Sequence, residues 1–187
     1  MNEFALIVPE ATLLTLACAV LLIDAFAGKH APAATFWCAV VSCLVVLAQI
    51  ASYVPEAAAF GFAGTLRVDV MGTVLKAFVL VLVVISFFYA REYFNKQPHT
   101  APGEYYPLAL FATLGMMLLV SANSLLTIYL GLELLSLSLY SMVALQRDSV
   151  RASEAAMKYF ILGALASGML LYGMSILYGV AGTLDLS

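Results

Sequence analysis

Apolar positions along the chain fall into long runs, with polar residues gathered in the gaps between them. The runs cover about residues 4–23, 36–54, 72–89, 107–122, 125–145 and 156–179. A hydrocarbon core about 30 Å thick takes about 20 apolar residues per helical crossing, so each run predicts a transmembrane helix. Strands of a membrane barrel would alternate apolar and polar positions. A run such as AFVLVLVVISFF at 77–88 shows no such alternation. The expected fold class is therefore all-α integral membrane, with six transmembrane helices. Ala25-Phe26-Ala27 mimics a signal-peptide cleavage site. The start Met1-Asn2-Glu3 carries no positive charge, however, and Glu10 and Asp24 flank the apolar stretch, so the first run reads as a retained helix.

The gaps divide the chain. Residues 1–90 form a three-helix amino-terminal membrane segment. Residues 91–106, with Pro98, Pro102 and Gly103, form a polar loop. Residues 107–179 hold the fourth to sixth helices, and 180–187 read as a turn-like end expected to pack against nothing. Asn123-Ser124 is nearly the whole link between the fourth and fifth helices, which predicts a tight antiparallel pair. Placing the amino terminus outside puts Lys29, Arg91, Lys96, Arg147 and Arg151 in inner loops and leaves Arg67 in an outer one. That bias orients both ends outward, which in a bacterial cell is the periplasm.

Composition agrees. Hydrophobic residues make up 64% and charged residues 10% of the 187, far from the balance of a soluble domain. A net charge of -3 spread over loops implies no nucleic-acid partner. Cys18, Cys38 and Cys43 lie in apolar runs without metal-ligand spacing and read as small buried hydrophobes. His30 and His99 sit in separate loops, and no phosphate-binding glycine loop or nucleophile motif is present.

Most charges lie at helix ends, where long side chains reach the headgroups cheaply. Lys76, near Asp69 and Arg67, is expected to snorkel, and Glu10 reads as interfacial. Glu133 differs. It stands roughly 12 Å from one end of its predicted helix and roughly 18 Å from the other, at about 1.5 Å per residue. A carboxylate there costs about 2.5–3.5 kcal/mol on insertion scales and must be neutral, paired or beside internal water. Tyr129, Ser136 and Tyr140 share or flank its helix face. One reading is a hydrogen-bonded anchor between helices; the other is a proton-loading site. Lys158 is the candidate cation for such a site. It is expected roughly 10–15 Å away in depth, and so coupled through water or an intervening side chain, or else snorkelling at the inner face. The spacings Gly163-x-x-x-Ser167 and Ala164-x-x-x-Gly168 on the sixth helix are read as packing signals of a dense bundle.

From Gly103 onward the runs GEYYPLALFATLGMMLLVSANSLLTIYLGLELLSLSLYSMVAL and EAAMKYFILGALASGMLLYGMSILYGVAGT resemble the antiporter-like membrane subunits of respiratory complex I, NADH:quinone oxidoreductase. FALIVPEATLLTLACAVLLIDAF and VDVMGTVLKAFVLVL resemble the same subunits. The resemblance implies a three-helix amino-terminal group followed by the start of the first inverted repeat. It implies proton-path roles for Glu133 and Lys158, with other membrane subunits and the lipid bilayer as partners in the bacterial inner membrane. No cofactor is expected on this chain, while the assembled enzyme would use NADH, FMN, iron–sulfur clusters and quinone. The family fold continues past this length, so the sequence is expected to be a portion of such a subunit. A related cation/proton antiporter subunit, a membrane-bound hydrogenase subunit, and a non-conducting assembly scaffold are the alternatives.

Overall fold

The computed structural model describes residues 3–26, 31–52, 58–96, 103–146 and 148–186. Among these, a 3-10 turn at Glu3–Leu6 leads into six helices: α1 (Val8–Phe26), α2 (Ala31–Ser52), α3 (Val70–Asn95), α4 (Tyr105–Ser121), α5 (Leu125–Val143) and α6 (Val150–Ala181). All except α4 are long and apolar enough to cross a membrane. At 17 residues α4 is about 26 Å long. It packs against α1, α2, α3 and α5, and so forms the middle of the bundle.

The core follows helical spacing. Leu13, Ala17 and Val20 on α1 meet Phe36, Val40, Cys43 and Val46 on α2, with Leu80 and Phe87 of α3 and Leu110, Leu114 and Met117 of α4. Offsets of three, four and seven residues keep each set on one helix face. The rings of Phe36, Phe87 and Tyr106 meet edge to face and close one end of this core, with centroids 5.5–5.6 Å apart for the two pairs made by Tyr106. Arg91 stacks over Phe36 at 4.5 Å from the ring centroid, which covers the charge at that end with an aromatic face. Cys43 is buried as expected, whereas Cys18 lies on an exposed face of α1.

Helix α3 runs to Asn95, five residues into the stretch expected to be loop. Helix α6 begins at Val150, six residues before its apolar run. Both extensions are polar turns that continue a helix past its apolar stretch. At the start of α6 the Ser149 hydroxyl accepts from the Ala152 amide at 3.3 Å, an N-cap that residue hydrophobicity does not reveal. Asp69 caps α3 in the same way, accepting from the Gly72 amide at 2.6 Å. At the far end of α6, Gly182 takes φ +72 and donates its amide to Tyr178 O at 2.8 Å, which ends the helix.

Between α2 and α3 lies a small hairpin, β1 (Ala59–Gly61) paired antiparallel with β2 (Leu66–Val68). It serves as a clamp. The Asn123 amide donates to Thr65 O at 2.9 Å, and the Asn123 side chain donates to Gly64 O at 2.8 Å. The end of the chain joins the same knot: Leu125 N donates to Leu184 O at 2.8 Å, and Leu186 N to Asn123 O at 3.0 Å. The expectation of an unpacked 180–187 stretch is thus corrected. Its backbone supplies partners to the α4–α5 link, whose amides and carbonyls no helix could satisfy.

Candidate functional site

Glu133 sits near the middle of α5, eight residues from Leu125 and ten from Val143. Those offsets place it about 12 Å and about 15 Å from the two helix ends. Its position is fixed from two sides. On one side α5 lies directly against α4. A Cβ built on Gly115 would come 2.7 Å from Gly131 O and 2.8 Å from Leu135 N, and one on Gly131 would come 3.1 Å from Gly115 O. Only glycine lets the two backbones approach so closely. Glu133 lies between Gly131 and Leu135 on that locked segment.

On the other side is α6. The Ser167 hydroxyl donates to Glu133 Oε2 at 2.5 Å and lies 3.2 Å from the Tyr129 hydroxyl. One helical turn along, Gly163 leaves the space into which the Tyr140 hydroxyl fits. The Tyr140 ring in turn meets Tyr159 edge-on, with centroids 4.7 Å apart. The Gly163-x-x-x-Ser167 face therefore does meet α5. The Ala164-x-x-x-Gly168 face does not: a Cβ on Gly168 would meet nothing within 4 Å among the described residues. The dense-bundle reading holds for one stripe of α6 only.

The carboxylate is half-buried, and the hydrogen bond that holds it comes from Ser167, not from Ser136 or Tyr140. Among the described residues it has no ion-pair partner. Lys158 is exposed and pairs with Glu154 one turn away at 2.5 Å. Nine residues separate Lys158 from Ser167, so it lies about 14 Å along α6 from the Glu133 contact. Tyr140 occupies the interval between them. His30, His99, Lys29 and Arg147 lie outside the described residues.

One element of this arrangement carries no clear signature in the sequence, and another carries a misleading one. Ser167 stands among small packing residues, although its depth on α6 matches that of Glu133 on α5. Glu10 and Lys76 are not the interfacial and snorkelling residues that their positions near helix ends suggest. Instead the Lys76 ammonium donates to Glu10 Oε1, and both side chains are only 5% exposed. Their signal was the alternation of helix directions, which puts the start of α1 and the start of α3 at the same end of the bundle.

Fold and site together define a multi-pass helical membrane protein with a carboxylate held midway along a crossing helix. Residues 122–187 match the family described as NADH:quinone oxidoreductase/Mrp antiporter, TM. Subunit N of the NADH-quinone oxidoreductase of Thioalkalivibrio sulfidiphilus is 49% identical over 185 residues, taking in 98% of this chain and 38% of that protein. The subunit N of Nitrosomonas europaea is 47% identical over 192 residues, with the same coverage of 98% and 38%. Among solved structures, a chain of respiratory complex I from Thermus thermophilus with bound aureothin superposes with TM-score 0.77 at 31% identity, over 96% of this chain and 38% of that one. A chain of the membrane-bound sulfane sulfur reductase, an archaeal respiratory membrane complex, shares the fold at TM-score 0.70 and 20% identity, over 98% of this chain and 39% of that one.

Over nearly its whole length the chain is similar to antiporter-like membrane subunits of this kind. Its curated relatives include subunit N of several bacterial NADH-quinone oxidoreductases, and it spans about 38% of their length.

Proposed function

We propose that this chain is an amino-terminal portion of a proton-translocating membrane subunit of an NADH:quinone oxidoreductase, and that Glu133 is a proton-loading residue in it. The carrying observation is the Glu133–Ser167 contact at mid-membrane. A carboxylate is expensive at that depth, and intramembrane ionisable residues mark proton relays and ion pathways. Among the described residues a single hydroxyl donor holds Glu133 in place, without fixing its charge as a salt bridge would.

In this reading Lys158 extends the path toward the inner side, with Tyr140 as the intervening side chain. The Tyr140 hydroxyl abuts α6 one turn from Ser167, and its ring reaches Tyr159 beside Lys158. A proton on Glu133 neutralises the carboxylate, and its departure restores a negative charge at mid-bilayer. That alternation changes the field felt by Lys158 across a low-dielectric interval. The chain itself does no electron transfer. NADH, FMN, iron–sulfur clusters and quinone would be handled by other subunits, and this chain would act as part of a translocase. The partners are the other membrane subunits of that complex and the bilayer. The setting is the bacterial inner membrane, with both ends of this stretch on the periplasmic side; Arg91, Lys96 and Arg151 at the opposite end of the bundle support that orientation.

Affinity purification of the full-length subunit from native membranes tests the reading. Co-purification of NADH-oxidising activity with flavin and iron–sulfur absorbance is expected. Recovery with an assembly of ion-antiporter subunits lacking NADH oxidation would reassign the chain to the antiporter branch.

A further inference from the structure

A second charged centre lies apart from Glu133, at the hairpin end of the bundle. Glu10 belongs to the first turn of α1, Lys76 lies two turns into α3, and Ser121 is the last residue of α4. Lys76 donates to Glu10 Oε1, and the Ser121 hydroxyl donates to the same oxygen at 3.4 Å. Glu10 Oε2 is buried and, among the described residues, has no hydrogen-bond partner. Glu10 and Lys76 are each only 4% exposed. Among the other charges of this end, Arg67 and Asp69 pair with each other at 3.1 Å, and Asp185 accepts from the Thr183 hydroxyl at 3.3 Å.

Packing alone does not favour such a pair. Removing two charges from water costs several kcal/mol per ion, and the gain repays this only when the remaining lone pairs are satisfied. Here one carboxylate oxygen is bare. Beside the pair is a cavity of about 220 Å³ whose wall includes Leu6, Gln49, Ile50, Val68, Thr73 and Lys76. It is roomy enough for several waters at about 30 Å³ each, and its polar wall groups are of the kind that hold water. The wall is drawn from the start of α1 and the turn before it, the end of α2, the hairpin and α3, so the cavity adjoins the hairpin end of the bundle.

We propose that Glu10 and Lys76 form a second proton-exchanging site of this protein, supplied with water from the hairpin end through this cavity. The Lys76 ammonium gives a proton to a cavity water and the resulting amine takes one back, so charge balances over each exchange. The Glu10 carboxylate supports the charged form between exchanges. Helix α4 packs between α1 and α3, which carry this pair, and α5, which carries Glu133, so the two centres are distinct.

The test uses the full-length subunit in its assembled complex, reconstituted into lipid vesicles. Thr73→Cys reports water: a small water-soluble thiol reagent should label it, as mapped by mass spectrometry, and Val68→Phe, which fills the cavity without touching the pair, should slow that labelling. Glu10→Gln and Lys76→Met should each lower the protons moved per electron while quinone reduction per assembled complex is maintained. Where a single variant fails to assemble, Glu10→Gln with Lys76→Met removes both charges together and carries the same measurement. A cavity that stays unlabelled overturns the proposal. So does labelling accompanied by native proton-to-electron ratios in the charge variants. Native pumping by Glu133→Gln would instead defeat the Glu133 reading and leave this one standing.

Discussion

Replacing Gly115 by alanine adds one methyl group where α4 and α5 touch. On the present backbones that carbon would sit 2.7 Å from Gly131 O and 2.8 Å from Leu135 N, against an ordinary contact that begins at 3.4 Å. Both obstructing atoms are main chain, so no side-chain rotation relieves the clash. The helices must separate by about 0.7 Å along the line of contact, and overpacking of this kind costs about 1–3 kcal/mol. Alanine's better helix propensity returns at most about 1 kcal/mol. The matched control is Gly168→Ala, whose new methyl meets nothing within 4 Å among the described residues. It should be neutral or slightly stabilising, since a mid-helix glycine costs about 0.5–1 kcal/mol relative to alanine. Thermal unfolding of the 187-residue chain in detergent should show a lower midpoint for Gly115→Ala than for both the parent and Gly168→Ala. Equal midpoints for the two variants would refute the claim that backbone contact at Gly115 and Gly131 sets the α4–α5 distance.

Three further outcomes are expected. Glu10→Gln or Lys76→Met alone should destabilise the chain by about 3–5 kcal/mol, because each leaves a buried charge or donor without its partner, and the double variant should cost less than the two singles combined. A denaturant titration of all three in detergent measures this. Ser167→Ala should cost between about 0.6 kcal/mol, the average for interhelical hydrogen bonds in membranes, and about 1.7 kcal/mol, their maximum, and a double-mutant cycle with Glu133→Ala, which removes the acceptor, should return most of that as coupling. Asn123→Ala should release the hairpin from the α4–α5 link. Backbone amides of 59–68 should then exchange with deuterium faster, while exchange in the core of α2 stays unchanged.

The sequence pattern carried the helices because a bilayer demands long apolar runs, and no local accident produces six of them. Helix ends were less legible. Arg91, Glu92 and Tyr93 extend α3, and Arg151, Ser153 and Glu154 open α6, where helical geometry persists beyond the hydrocarbon region. The hairpin was invisible because its strands have three residues each and take their stability from Asn123. Glu133 stood out because one carboxylate in an apolar helix violates the solvent's terms. Ser167 did not, since a serine among glycines and alanines costs little and resembles spacer. The Glu10–Lys76 pair was hidden by distance in sequence: its partners lie 66 residues apart, and only the antiparallel course of the helices brings them together. What a sequence exposes best is a local energetic anomaly. What it conceals is an anomaly compensated from far along the chain.

Proton movement measured against electron flow tests the proton-loading role of Glu133 most directly. Full-length subunit carrying Glu133→Gln would be assembled in its complex, reconstituted in vesicles and supplied with NADH and quinone. Because glutamine keeps the size and an acceptor for Ser167 but cannot take up a proton in this range, assembly should survive while protons moved per electron fall. Glu133→Asp, which keeps a titratable group, should recover part of the loss. Assembly and proton-to-electron ratio both equal to the native values in Glu133→Gln would contradict the account.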